Sequence, residues 1–150
     1  MAPEQRLAIV IGLLALASLA GVLWRARSGR AKQTNSNSVV DLSELAVIKN
    51  GSLAKKFGRK ATFVQFSSEY CSSCAQTSKL LQEVERSNPG VLHLEVDITN
   101  RLELAKKYSI LQTPTTLVLD SHGRIKSRIG GSTKPQVIQQ ELAKQGSFEI

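Results

Sequence analysis

The sequence predicts an α/β domain, with helices on both faces of a central mixed β-sheet, preceded by one apolar helix. Strand-like runs alternate with segments of helical periodicity, which implies parallel crossover connections. A tight turn at Asp120–Gly123 separates two further strand-like runs, which implies an antiparallel pair. Leu7–Trp24 is an uncharged, mostly apolar run that follows neither pattern.

The composition limits the possible classes of protein. A chain of 150 residues is long enough for one domain with a core and a short appendage. Its two cysteines cannot supply a framework of disulfides, so packing must hold the fold together. The net charge is +8, but no basic stripe is interleaved with aromatic residues, so we expect no nucleic-acid partner. We expect a monomer.

The N-terminal run predicts a membrane anchor. A helix over Leu7–Trp24 would be about 27 Å long, close to the hydrocarbon thickness of a bilayer. Trp24 at its end is typical of the membrane interface. Residues 1–27 are therefore interpreted as a transmembrane anchor with a basic collar. A cleaved signal peptide is the alternative, because Ser18 and Ala20 suit a signal peptidase, although the apolar run continues past them.

Four basic residues follow the apolar run and predict its orientation: Arg25, Arg27, Arg30 and Lys32. The positive-inside rule places them, and the rest of the chain, in the cytoplasm. We expect a single-pass protein of the plasma membrane with a cytoplasmic domain, and an extracytoplasmic domain is the alternative. Residues 28–38 are polar and aperiodic, which predicts a flexible linker before a domain at 39–150.

The first half of the domain contains one ambiguous segment and several clear ones. Asp41–Leu45 fits either a short strand or one helical turn. Asn50–Ser52 predicts a turn, and Leu53–Phe57 a short helix that Gly58 ends. Ala61–Phe66 is apolar and β-branched, as in a buried strand.

The second half continues the alternation. Ala75–Val84 has a helical apolar stripe, and Val91–Ile98 alternates as a strand does. Asn100 and Glu103 resemble a capping pair for a helix that runs through Tyr108. The remaining predicted elements are a strand at Thr115–Leu119, a returning strand at Arg124–Ile129 and a last helix capped by Ser132 or Thr133.

Cys71 and Cys74 lie where the Ala61–Phe66 strand gives way to a helix. A helix N-terminus presents free N–H groups and the positive end of its dipole, which stabilise the thiolate that attacks disulfides. Their spacing puts the second sulfur about one helical turn from the first, within bonding reach. We predict that Cys71 attacks a partner's disulfide and that Cys74 resolves the mixed disulfide. The dithiol is then the redox group, and we expect no other cofactor and no metal.

The order and spacing of several segments resemble the thioredoxin family from roughly Leu53 onward: Phe63–Phe66, Tyr70–Cys74, Val96–Asp97, Tyr108–Ile110, Thr113–Thr115 and Gly130. The resemblance implies a thioredoxin-like fold. In that family the proline matching Pro114 is cis, lies against the cysteine pair and helps the backbone before it to hold a substrate strand. Thr113, Pro114 and Tyr70 are therefore expected to bind substrate.

The chain departs from the family pattern at three places. Tyr70 stands where thioredoxins usually have tryptophan, and Ser72–Ser73 replaces Gly-Pro between the cysteines. Gln65 matches the buried aspartate that assists proton removal from the second cysteine, and a neutral amide cannot act as that base. His93 matches a family lysine and is a candidate for proton transfer because histidine titrates near neutrality. The alternative is that His93 is an ordinary strand residue.

Together these features predict a membrane-tethered thiol–disulfide oxidoreductase that reduces protein disulfides, with an electron-donating reductase as its second partner. One alternative is an extracytoplasmic thioredoxin-like protein for cytochrome maturation or disulfide exchange. A second is a redox-inert scaffold that binds a partner through the substrate groove. A zinc site made by the cysteines with His93 and His122 is disfavoured, because a strand and a turn separate the two histidines.

Overall fold

The computed structural model describes residues 3–34 and 38–146. Its first element, helix α1 (Pro3–Arg27), has no buried residue. It contains the whole of the predicted apolar run and is 25 residues long, with a mean hydropathy of 2.5 over its most apolar window. That length and composition suffice to cross a membrane, and they fit a signal sequence equally well.

The described strands are β1 (Ala31–Gln33), β2 (Ile48–Lys49), β3 (Ser52–Leu53), β4 (Ala61–Ser67), β5 (Val91–Asp97), β6 (Thr115–Leu119) and β7 (Ile125–Gly130). Five of them form the central sheet in the order β1-β7-β6-β4-β5, and β2 pairs with β3 in a separate hairpin. β4 runs parallel to β5 and antiparallel to β6, and β6 runs antiparallel to β7. The predicted mixed sheet is confirmed.

The sheet is covered by helices α2 (Leu42–Leu45), α3 (Cys74–Ser87), α4 (Leu102–Lys107) and α5 (Pro135–Gly146). Every residue of β4 is buried, because apolar clusters pack against both of its faces. Phe63 packs with Leu81 of α3 and Ile138 of α5, whereas Phe66 packs with Leu45 of α2 and Leu104 of α4. Helices therefore lie on both faces, as predicted.

The predicted flexible linker at residues 28–38 is wrong where the structure describes it. β1 pairs antiparallel with β7, with Ala31 opposite Ile129 and Gln33 opposite Ser127. Without β1, the N–H and C=O groups along this edge of β7 would lack backbone partners, which explains why a polar segment joins the sheet. The domain therefore begins at β1 rather than at residue 39. Residues 1–2, 35–37 and 147–150 of the predicted ranges lie outside the described residues.

The ambiguous segment before the hairpin is helical. Its last four residues form α2, and the carboxylate of its first residue, Asp41, caps that helix by accepting a hydrogen bond of 2.8 Å from the Ser43 N–H. The predicted helix at Leu53–Phe57 is wrong, because Leu53 belongs to β3. Asn50 and Gly51 both adopt positive φ, at 52° and 78°, as a two-residue hairpin turn requires.

Two predicted helix caps are also wrong. α4 begins after Arg101, with no side-chain cap, and the Arg101 guanidinium instead donates to the carbonyl oxygens of Glu44 and Leu45. α5 begins at Pro135, whose fixed φ suits the first helical position. The Thr133 hydroxyl is buried without a hydrogen bond, so Thr133 does not cap that helix.

Candidate redox site

The cysteine pair lies in the loop between β4 and α3. Cys71 precedes the helix and Cys74 is its first residue, with the two sulfurs bonded and the Cα atoms 5.4 Å apart. The Cys71 N–H donates to the carbonyl of Ser68 at 3.1 Å, which folds the loop back on the end of β4. Cys71 is partly exposed, whereas Cys74 is only 4% exposed. This difference supports Cys71 as the sulfur that meets a partner.

The loop before β6 lies beside the cysteines. The Thr113–Pro114 peptide bond is cis, as the resemblance implies, and Pro114 is buried. The hydroxyls of Thr113 and Ser68 lie 3.2 Å apart and form a hydrogen bond between the two loops. On the far side, the Gly131 N–H donates to the carbonyl of Pro114 at 2.8 Å. The loop that contains Thr113 and Pro114 is thus tied to Ser68, whose carbonyl accepts from the Cys71 N–H.

An apolar groove borders this loop. The side chain of Tyr70 is 86% exposed, and those of Leu102 and Leu111 are 68% and 95% exposed. The residues lining the apolar groove are Ser68, Tyr70, Ile98, Thr99, Leu102, Ala105, Ile110, Leu111, Gln112 and Thr113. Sequence reasoning placed Tyr70 and Thr113 here but missed the two leucines. An apolar residue in a loop, as at Leu111, was the available signal.

Gln65 and His93 lie behind Cys74 inside the sheet. The Gln65 side chain is fully buried; its Nε2 donates to the carbonyl oxygen of Cys74 at 3.0 Å, and its Oε1 lies 3.2 Å from His93 Nε2. Because Gln65 donates to Cys74, its oxygen must accept, so the His93 Nε2 atom carries a proton and donates. His93 therefore contacts Cys74 only through Gln65, and at the backbone rather than the sulfur.

The environment of His93 keeps its ring neutral at pH 7. Burial lowers the pKa of His93 to about 4, and the positive charge of Lys49 adds to the effect. Lys49 lies close because its Nζ donates to the His93 carbonyl at 3.0 Å and pairs with Glu85 at 2.7 Å. The predicted residues Gln65 and His93 are thus together, in a geometry that positions Cys74 rather than one that takes its thiol proton.

Both cysteines line a polar groove. It is lined by Ser67, Ser68, Glu69, Cys71, Cys74, Ala75, Ser78, Lys79, Gln82, Glu95 and Asp97. The Glu95 carboxylate is held at both oxygens, by the Ser67 hydroxyl at 2.8 Å and the Ser78 hydroxyl at 2.7 Å. The sequence did not single out Glu95, because the alternation of apolar and polar residues in β5 indicates only that its side chain points away from the apolar face. The pairing of β5 with β4, which sets Glu95 opposite Gln65, brings it to the cysteines.

The two histidines do not join the cysteines in a metal site. His93 is buried in β5, and His122 lies in the exposed turn between β6 and β7. Within residues 3–34 and 38–146, no three His, Cys, Asp or Glu side chains are grouped so that they could hold a metal ion.

Comparison with models of known protein families shows which family this chain is related to. The model of the thioredoxin-like domain matches residues 50–146. This chain belongs to the thioredoxin-like family. Membership, together with a CxxC pair at disulfide distance, supports thiol–disulfide oxidoreductase chemistry in general.

Named relatives agree at low identity. A thioredoxin H-type of Oryza sativa subsp. indica is 27% identical over 77 residues, which is 51% of this chain and 62% of that protein. The matched part thus spans less than two thirds of the rice protein. A thioredoxin of Chlamydia trachomatis is 23% identical over 93 residues, covering 62% of this chain and 91% of that protein. The structure of Fasciola hepatica thioredoxin, 19% identical, covers 59% of this chain and 83% of that one with a TM-score of 0.51, and this likeness shows the fold.

Proposed function

We propose that this protein is a membrane-tethered thiol–disulfide oxidoreductase that reduces protein disulfides. The observation that carries the proposal is the Cys71–Cys74 pair, placed at the start of α3 with Cys71 partly exposed and the Thr113–Pro114 loop hydrogen-bonded to the same loop. A redox-inert scaffold has no use for an accessible sulfur with a second one in bonding reach.

The reaction begins with the reduced pair. The Cys71 thiolate attacks one sulfur of a substrate disulfide, forms a mixed disulfide and expels the other substrate sulfur as a thiolate. The Cys74 thiolate then attacks the Cys71 sulfur and expels the second substrate thiolate. Two electrons have passed to the substrate, whose thiolates take up protons, and the protein holds the Cys71–Cys74 disulfide. A reductase must restore the dithiol.

Glu95 is our candidate acceptor for the Cys74 proton. Gln65 cannot act as a base, and both ends of its amide are already engaged by Cys74 and His93. Glu95 shares the polar groove with both cysteines, and Ser67 and Ser78 fix its orientation. A carboxylate held there can take the thiol proton through a water molecule in the groove.

The substrate would lie across the loop before β6. Thr113 offers its backbone to an extended substrate segment, as in strand addition. Pro114 has no N–H, so it does not donate a backbone hydrogen bond at this point of the loop. Tyr70 and Leu102 supply exposed apolar surface on which the flanking substrate side chains can pack. These contacts suit a protein substrate better than a small thiol.

The tether is α1, and the basic residues after it favour the cytoplasmic side. In the cytoplasm, the redox poise keeps dithiols reduced, which favours the reductase direction. The competing proposal, favoured only if α1 has the opposite orientation, is disulfide exchange outside the cytoplasm.

Two measurements test the proposal. The full chain should catalyse reduction of insulin disulfides by dithiothreitol, and the Cys71→Ser variant should not; equal rates would leave only the scaffold function.

A membrane-impermeant thiol reagent should label Cys71, after reduction, only in lysed cells. Labelling in intact cells would overturn the cytoplasmic placement and favour extracytoplasmic exchange.

A further inference from the structure

The connection between α1 and the sheet is short, and its first two residues are hydrogen-bonded. α1 ends at Arg27, and only Ser28, Gly29 and Arg30 precede β1. The N–H and hydroxyl of Ser28 both bond the Trp24 carbonyl at 3.1 Å, and the Gly29 N–H donates to the Gly130 carbonyl at 2.7 Å.

Gly29 allows this close approach. It has a positive φ of 76°, and a Cβ atom there would overlap the carbonyl oxygen of Ser132. A flexible linker of eleven residues would let the domain move by about 20 Å relative to its anchor. This connection instead fixes the end of α1 on the end of β7.

The end of β7 is also the end of the sheet that carries the redox site. Gly131, next to the residue that Gly29 contacts, donates to the carbonyl of Pro114. One cavity is lined both by the last turns of α1, at Ala20, Leu23 and Trp24, and by the loop before Pro114, at Leu111 and Gln112. The side chains of a spanning helix and of the substrate loop therefore face the same space.

The chemistry of this surface is that of a membrane interface. Leu111 is almost wholly exposed beside Trp24, whose side chain is 73% exposed. Four basic residues line the same cavity, Arg27, Arg30, Lys32 and Arg128, and none of its described lining residues is acidic. Arg128 also fixes the loop after α4 by donating to the carbonyls of Tyr108 and Ser109. Exposed aromatic and aliphatic side chains beside basic ones are typical of a surface that meets anionic lipid headgroups.

We propose that this junction surface, formed by Trp24, Arg27, Arg30, Lys32 and Leu111, rests on the anionic lipid of the membrane that α1 spans. The Cys71–Cys74 site then works at the bilayer surface, and its substrates are disulfides in the membrane-proximal segments of other membrane proteins. This inference rests on the proposed function, since it takes α1 as an anchor and the cysteine pair as a disulfide reductase.

A depth measurement tests the orientation. In a Cys71→Ser/Cys74→Ser chain, Leu111→Cys receives a fluorescent label, and His122→Cys, in the turn at the other end of β6, is the matched control. Both proteins are placed in phosphatidylcholine–phosphatidylserine vesicles that contain lipid with a nitroxide in its headgroup region. We expect quenching at position 111 and none at 122. Equal quenching at both positions would overturn the proposal. So would a label at 111 that is shielded from iodide but not quenched by lipid, since a second copy of the chain would then cover the surface.

A kinetic measurement tests the substrate class. A Gly/Ser segment as long as the predicted linker is inserted between Arg27 and Ser28, with the same segment added after Gly146 as the control. The substrate is a disulfide peptide, used free in solution or attached to lipid by a short spacer. The first insertion should slow reduction of the lipid-attached peptide by about 10-fold, because a longer tether lowers the effective concentration of the redox site at the membrane surface. Both variants should reduce the free peptide at the wild-type rate. An unchanged ratio of the two rates would overturn the proposal.

Two further readouts separate this inference from the function on which it rests. A chain that does not float with vesicles, or does not reduce the free peptide, contradicts the membrane tether or the reductase activity. A chain that floats and reduces the free peptide, but shows no difference between positions 111 and 122, contradicts the orientation alone.

Discussion

The apolar groove and the polar groove both border the cysteine loop and share Ser68, yet they differ in how their side chains are held. In the apolar groove, Tyr70 and Leu102 are exposed, at 86% and 68%. In the polar groove, each oxygen of Glu95 accepts a hydrogen bond from a buried serine. Behind that groove, Gln65 and His93 are fixed in the core.

The difference suggests a division of tasks. Loosely held apolar side chains can adapt to many protein substrates, and their loss should weaken substrate binding. Fixed polar groups are suited to holding Cys74 and moving its proton, and their loss should alter the chemical step or the stability. Substitutions on the two sides should therefore change different measured quantities.

The largest effect should come from the two cysteines, which line the polar groove. Cys71→Ser should lower the rate of disulfide reduction by about 10³-fold or more, because the nucleophile is gone. Cys74→Ser should retain the first attack and accumulate a mixed disulfide, which mass spectrometry would detect as a covalent adduct. An adduct in Cys71→Ser, and none in Cys74→Ser, would exchange the assigned roles.

The buried pair should appear in the pH dependence of stability. Between pH 6.5 and about 4, His93 is protonated in the unfolded chain but neutral in the folded one, so the free energy of unfolding falls as pH falls. Above pH 6.5 the His93 proton does not affect the free energy of unfolding. By pH 4 it has lowered the free energy of unfolding by about 3 kcal/mol. His93→Gln, which keeps a donor for Gln65, should flatten this part of the profile in denaturant titrations.

His122→Gln is the control, since it removes the chain's other histidine from an exposed turn. Its profile should match the wild type. If His93→Gln and the wild type lose stability in parallel between pH 6.5 and 4, the folded ring is not held neutral.

The proton acceptor in the polar groove should have a smaller effect. Glu95→Gln should slow resolution of the mixed disulfide by about 10-fold near neutral pH, and the deficit should shrink as hydroxide takes over at higher pH. Stopped-flow measurement of release of the second substrate thiol gives this rate. Glu83→Gln, on the exposed face of α3, is the matched control. A uniform deficit at all pH values would indicate a structural effect instead.

The smallest effect should come from the apolar groove. Leu102→Ala removes apolar surface from the docking side and should raise KM for a protein disulfide by roughly 5-fold while leaving kcat unchanged, since about 1 kcal/mol of burial is lost. Ile48→Ala, an equally exposed side chain in β2, should leave both constants unchanged. If Leu102→Ala lowers kcat and leaves KM constant, the apolar groove does not serve substrate binding alone, and the proposed division of tasks is wrong.

Sequence reasoning found what depends on local pattern. Strands β4 to β7, the long helices, the CxxC junction and the Thr113–Pro114 loop are marked by periodicity or by residues with restricted backbones. The short hairpin strands β2 and β3 were not predicted. Sequence reasoning missed Glu95 and Leu111, whose proposed roles depend on strand pairing and loop packing. It also read Ala31–Gln33 as linker, because a three-residue polar edge strand has no apolar alternation to reveal it.

The short strand β1 also has a consequence for biosynthesis. Its partners in β7 lie about a hundred residues further along the chain, so the sheet cannot close until nearly the whole domain has left the ribosome. If α1 enters the bilayer first, the emerging chain folds while already held at one end by the membrane. The last strand pair to form would then be the one that brings the redox site down to the lipid surface.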